Sequence, residues 1–443
     1  MSSTGRTRVL TATSEAFAIV RSSSAPPPKR RFSAISRSSY SSSSSASDHH
    51  DIVEIPEVLN SQETLEFFGL QPDVAKTIFE SWQELQQTPG QLGHGDDIIT
   101  SAEHYIKTMA GVEDAWLPTH NWRQALIKMG INSDLTDAIL DSNFDKIRKS
   151  KSASAWAINT FRTSWKFLKG LDKRVRRKKD EEDRLVTPSP SIAPRPAIRN
   201  KPGLLDSYKE PPVLKLATMA AVPDSVDGRI MLHKGEAMTR LVSVFNEDGS
   251  LNVAKLFSAP PTDFHRTRAD LLYFTKNIEI AEQYANFSQR RIPAEEGAVL
   301  SFAVPTELVD EHREIFGRDW QRLLWWARGP VRSLDDVQLP ASLTQYIEAP
   351  LLIGYICGMA NDKVARLESS SELTGQYMKT KNDPNASQHV FQSASVQAEL
   401  QTQCTGWVWI RSMRFSPEFA KRFLPKEDDN GGEGSSGQRG GSN

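Results

Sequence analysis

A cluster of prolines near the middle of this 443-residue chain constrains its fold more than any other feature. Pro188, Pro190, Pro194, Pro196, Pro202, Pro211 and Pro212 stand in polar surroundings. Each fixes its own φ and lacks a backbone donor, so neither a regular helix nor a central strand runs through such a stretch. Residues 180–213 are therefore expected to form a semi-extended linker. Before it, apolar residues recur with a helical period; after it, short β-rich runs set in.

The helical half spans 52–179. Thr64 to Leu70, then Val74 to Leu85 with Ile78, Phe79, Trp82 and Leu85, repeat at helical spacing. Asn121 to Gly130 ends on a glycine placed as a C-cap, and Asn132 to Ile147 predicts a short helix or pair. Phe161, Trp165, Leu168 and Val175 line one face of a last helix. Its basic end, Lys173 to Lys179, suits the negative pole of the helix dipole. The acids Asp180 to Asp183 follow, so a solvated helix end is the plain reading, with a nuclear-import or polyanion contact as the alternative. This all-α domain is where a protein partner is expected to dock.

Sixteen of the first fifty residues are serine, and seven are Lys or Arg. Residues 1–51 are expected to be a disordered, phosphorylatable tail; a cleaved mitochondrial transit peptide is the competing reading. Residues 425–443, rich in Gly and Ser, are expected to be disordered as well. Fifty-four Lys and Arg against fifty-five Asp and Glu leave a formal charge of -1, so no global field favours nucleic acid or membrane. No run of about 18 apolar residues marks a membrane-spanning helix. Cys357 and Cys404 are too few for a disulfide framework or a cysteine-rich zinc site, and an intracellular location, cytoplasmic or nuclear, is expected. The nine histidines lack metal-ligand spacing, so no metal is expected.

Beyond the linker, Arg229–His233, Leu271–Thr275, Ala298–Val304, Leu351–Cys357, Gln388–Gln392 and Trp407–Met413 read as strands, with helices over Ile278–Phe287 and Trp320–Trp326. Strands and helices in this irregular order predict an α+β domain over 214–424. Trp320, Leu323, Leu324 and Trp326 fall at helical spacing, which favours a buried helix face over a nucleic-acid stacking surface. Phosphate-loop, zinc-protease, nucleophile-elbow and kinase motifs are absent. One constellation remains. His233-Lys234-Gly235 closes a strand, Tyr273 ends the next, and Tyr284 stands on the helix after it. A glycine there lets a ligand approach the backbone, and two aromatic rings can sandwich a flat heterocycle. Core packing explains the same aromatics on composition alone.

The order and spacing resemble the ADP-ribosyltransferase superfamily. Tyr273-Phe-Thr, Ala281 and Tyr284 echo the Tyr-Phe-Ala…Ser-x-x-Tyr segment of the poly(ADP-ribose) polymerase catalytic domain. Asp263-Phe264 before the tyrosine strand, and Leu351 to Asp362 after it, resemble a group of small bacterial transferase-like domains. Gln388 to Ser393 resembles the late strand that carries the third signature residue. The likeness covers about Arg229 to Leu400. It implies a split β-sheet domain binding NAD, with the Gly235 backbone on the carboxamide, His233 on a ribose hydroxyl and Tyr273 and Tyr284 around the nicotinamide. It further implies transfer of single ADP-ribose units to a protein acceptor, or NAD hydrolysis. Three departures stand against turnover. Lys234 separates His233 from Gly235, so His233 is displaced or Lys234 takes its place. Ala281 replaces a serine, and Gln388 stands where a glutamate is expected. Losing one charge-stabilising group costs roughly 100- to 1000-fold in rate. The alternative is a catalytically inactive transferase-fold interaction module.

Overall fold

A computed structural model describes residues 52–186 and 222–413, with short interruptions at 88–89, 91–92, 112–113, 116–118, 247, 334, 381–382 and 384, together with strand segments 19–20 and 29–33. The rest of the expected N-terminal tail, most of the proline-rich stretch and the C-terminal tail lie outside the described residues. β1 (Ile19–Val20) and β2 (Lys29–Ser33) pair antiparallel with each other, and β2 pairs with β3 (Ile52–Pro56).

The helical half comprises α1 (Gln62–Phe68), α2 (Pro72–Gln87), α3 (Ile98–Ala110), α4 (Trp122–Lys128), α5 (Ser133–Ile139), α6 (Asp145–Arg148) and α7 (Ala153–Val186). Local chemistry sets the ends. Ser61 Oγ accepts from the Thr64 amide at 3.2 Å, and Gly69 closes α1 at φ 106°, a conformation that costs a glycine little. Asn132 Oδ1 caps α5 through the Leu135 amide at 2.9 Å. α7 runs on to Val186, past the boundary expected at Lys179, because no proline interrupts it before Pro188.

The second half is built on two sheets. β4 (Arg229–Ala237), β6 (Gly297–Pro305) and β10 (Val408–Met413) form an antiparallel sheet in the order β10-β6-β4. β5 (Leu272–Phe274), β7 (His312–Ile315), β8 (Leu351–Tyr355) and β9 (Ser387–Phe391) form a mixed sheet in the order β5-β9-β8-β7, with only the β7–β8 pair parallel. One bridge joins the two: His233 N donates to Thr275 O at 2.7 Å, and Thr275 N to His233 O at 3.0 Å.

The helices of this half are α8 (Met238–Val242), α9 (Ile278–Arg291), α10 (Thr306–Asp310), α11 (Gly317–Arg328), α12 (Thr344–Ile347), α13 (Asn361–Val364) and α14 (Ala394–Cys404). In α11, Trp320, Leu323 and Leu324 are fully buried, as their spacing predicts, whereas Trp326, grouped with them in the sequence, is half-buried, and Ala327 takes the place on the inner face. α9 is polar in sequence yet buried nearly all round: Gln283, Asn286, Ser288, Gln289 and Arg291 are inside along with Ile280 and Phe287. It is wedged between the β4–β6 sheet and the helical half. A Cβ on Gly235 would fall 1.7 Å from the Ala281 carbonyl oxygen, and one on Gly297 2.0 Å from that of Ala285, so two glycines let the helix backbone lie on the sheet. On its other side Phe287 stacks on Phe144 at 5.1 Å and meets Trp156 edge-on at 4.8 Å. Ile280, Phe287 and Ala294 thus belong to one apolar core with Phe68, Trp122 and Phe161.

Candidate functional site

Strand alternation collects the sequence-selected residues onto one surface. His233 faces Thr275 across the bridge, and residues two apart share a side. Gly235, Thr275 and Tyr273 therefore lie on the His233 face, and Gln388 joins them because Tyr273 is opposite Val390. α9 covers this face and carries Tyr284.

The register that pairs His233 with Thr275 would set Gly235 opposite Tyr273, but no bridge forms there. The strands part instead. In an antiparallel pair, peptide groups two residues apart point the same way, so those of Gly235 and Tyr273 face the opening. Lys234 Nζ reaches across it and donates to Tyr273 O at 3.3 Å. This break in the ladder, a notch in the hydrogen bonding where the two sheets separate, has the Tyr273 carbonyl taken by Lys234 and the Gly235 face covered by the Ala281 carbonyl of α9.

His233 does not project into the notch as a free imidazole. Its Nδ1 lies 2.9 Å from Ser301 Oγ, the residue is 6% exposed, and burial, helped by the Arg411 charge, pushes its pKa down to about 4. It is a neutral, hydrogen-bonded group. Lys234, rather than His233, spans the break, and burial of its ammonium there lowers its pKa to about 8.

Both tyrosines are half-buried. Tyr273 packs on Phe264 with centroids 6.4 Å apart; its hydroxyl turns towards Thr262 and the Phe264 backbone without a hydrogen bond of good geometry. Burial first, then the Asp263 charge, push its phenol well above the usual range. Tyr284 Oη lies 3.9 Å from Met378 Sδ, and burial raises its pKa to about 12 despite the neighbouring Ser150 hydroxyl. Asp263 and Arg328 act electrostatically on both phenols, so the two rings approach the same polar centre from β5 and from α9.

Asp263 and Gln388 of that centre have places in the sequence pattern, which does not join them to each other or to Arg328. Asp263 Oδ1 accepts from Arg328 Nη1 at 2.8 Å; Oδ2 accepts from the Cys357 amide at 2.9 Å and from Gln388 Nε2 at 2.8 Å. Gln388 Nε2 also donates to Tyr355 O at 3.1 Å, and Arg328 Nη2 to Met359 O at 2.6 Å. Arg328 is 7% exposed and Gln388 6%. The node ties the segment before β5 to α11, to the end of β8 and to β9. Its carboxylate accepts three hydrogen bonds, one of them from the Arg328 guanidinium.

Ala281, at the serine position of the resemblance, is buried with its carbonyl oxygen against Gly235. Glu399, the carboxylate that follows Gln388 in sequence, is exposed on α14. Gln392 Nε2 is spent on the carbonyls of Tyr346 and Ala349, at 2.7 and 3.0 Å. Cys357 is a buried free thiol pushed up to about 11 by burial. Among the described residues no group of His, Cys, Asp and Glu is arranged to hold a metal, and no helix is long and apolar enough to cross a membrane. No family model, curated protein or solved structure matches the chain.

Proposed function

We propose that the second half of this chain is a non-catalytic binding module of ADP-ribosyltransferase type, taking the nicotinamide end of NAD at the notch between Gly235 and Tyr273. The observation that carries the reading is the parting of β4 and β5 one register step beyond the His233–Thr275 bridge. A carboxamide has one acceptor and two donors, and main-chain groups facing an opening are its natural complement. Tyr284, set above by α9, supplies an aromatic face for the ring. The Gln388 amide nitrogen, occupied by Asp263 and Tyr355 O, offers no negative charge to an oxocarbenium-like centre, and the Asp263 carboxylate is paired with Arg328. The site is therefore read as one that holds its ligand without breaking the nicotinamide–ribose bond.

Equilibrium dialysis of the full chain against NAD labelled in the nicotinamide ring tests this. Retained label with no free nicotinamide above the spontaneous background is expected. Absence of retention removes the binding claim, and nicotinamide release that Tyr273→Ala abolishes would make the protein an enzyme.

A further inference from the structure

α7 outruns the domain that it closes. Phe161, Ser164, Leu168 and Leu171 are buried in the helical core, at alternate spacings of three and four residues. Beyond Leu171 the helix continues to Val186, about 22 Å of it, and Lys173 and Arg176 there are exposed. The spacing does not lapse. It runs on through Val175, Lys178, Glu182 and Leu185, which occupy successive a and d positions of the same heptad.

Charge along this extension is divided into two blocks. Lys173 to Lys179 holds six cations, and Asp180 to Asp183 is four consecutive acids. Because α7 ends at Val186, the acids and not the cations fill its last two turns, where the negative pole of the helix dipole disfavours them. Within one helix Glu181, Glu182 and Asp183 follow their cations by four residues, the weaker order for such pairs. Arg176 is already engaged one turn earlier, by Asp172 at 2.7 Å. A lone helix therefore compensates its acid block only in part.

We propose that the extension of α7 is a homodimerisation surface, on which a second copy of this chain lies antiparallel. Such a pairing sets Lys178 level with Glu182 of the second copy and Val175 level with Leu185, an a position against a d position each time. The two-fold axis repeats both pairs, so a basic block meets an acid block twice. The polar pair at the centre fixes this register against others. Four such levels over about 15 Å fall far short of a standard interface, so a dissociation constant on the order of 10 to 100 µM is expected. The surface involves no residue of the notch and stands without the nicotinamide reading.

Sedimentation equilibrium of the full chain, loaded from roughly 1 to 300 µM to bracket that constant, tests it. The mass should climb from one chain towards two, and less steeply as added salt screens the charges. Lys178→Glu and Glu182→Lys each set like charges level across the axis and should weaken association by roughly 10-fold or more, with circular dichroism unchanged. Mixing the two variants in equal amounts, or joining both exchanges in one chain, puts opposite charges level again and should restore the dimer. That rescue separates pairing between copies from fraying of a single helix. A wild type that stays monomeric over the whole range, or a dimer indifferent to both exchanges or not rescued by mixing, overturns the proposal. A monomer that co-sediments with a short DNA duplex would assign the cations to a polyanion and overturn it as well.

Discussion

Gln388 donates its side-chain amide to Asp263, with Nε2 2.8 Å from Oδ2, and the same nitrogen bonds the Tyr355 carbonyl. A glutamate at this position would turn two acceptors towards an acceptor and bring a second carboxylate against the first. Gln388→Glu is therefore expected to lower stability by roughly 3 kcal/mol and not to install turnover. The new carboxyl would have its pKa raised in the folded state, so the loss should grow as pH rises above the ordinary carboxylate range and shrink on acidification. Denaturant unfolding at pH 5 and pH 8 checks this; an active, equally stable variant would refute the account of the node.

Gly235 lies under the backbone of α9, where an added Cβ would meet the Ala281 oxygen at 1.7 Å. Main chain cannot swing aside as a flexible side chain does. Gly235→Ala should cost about 3 kcal/mol and displace α9, carrying Tyr284 with it. Thermal unfolding and near-ultraviolet circular dichroism would register both effects.

His389 is 1% exposed, neither ring nitrogen has a hydrogen-bond partner, and burial, then Lys276 and His312, lower its pKa to about 3. As pH falls below about 6.5 the unfolded chain takes up the proton first, so stability is lost from there down to about pH 3. His233, lowered to about 4, acts in the same direction. His389→Leu should be stabilising by about 1 kcal/mol at pH 7 and should flatten the acid limb of a stability–pH curve by one proton's worth.

Two buried lysines have their own pH signature. Lys151 and Lys234 titrate near 8 when folded and near 10.5 as ordinary lysines. Between those values the unfolded state binds more protons, so the two contribute stability that rises with pH across that window. The wild type compared with the Lys151→Met/Lys234→Met double variant should gain relative stability from pH 7 to pH 9. An unchanged difference would mean that the lysines are solvated.

Much of this architecture was legible in local pattern. β5, β6 and β9 follow from short β-rich runs, and α9 follows from the helical reading of Ile278–Phe287. β7 was not, because His312-Arg-Glu-Ile is a polar edge strand that, among the described residues, pairs with β8 alone. Arg291, at the end of α9, meets Trp156 and Thr160, far upstream in the helical half. No local pattern announces a partner so distant. The same holds for the site: the ordered tyrosines were visible, while the Asp263–Arg328–Gln388 node depends on three segments that only the tertiary fold brings together.

The central claim is that Tyr284 and the parted strand edges at Gly235 and Tyr273 hold a nicotinamide ring. Calorimetric titration of NAD into the wild type and into Tyr284→Ala, each first shown to be folded by circular dichroism, tests it most directly. Removing one aromatic face should weaken binding by roughly 10-fold, the worth of an aromatic stack. Equal affinity in the two proteins, or no NAD binding by the wild type, would contradict it.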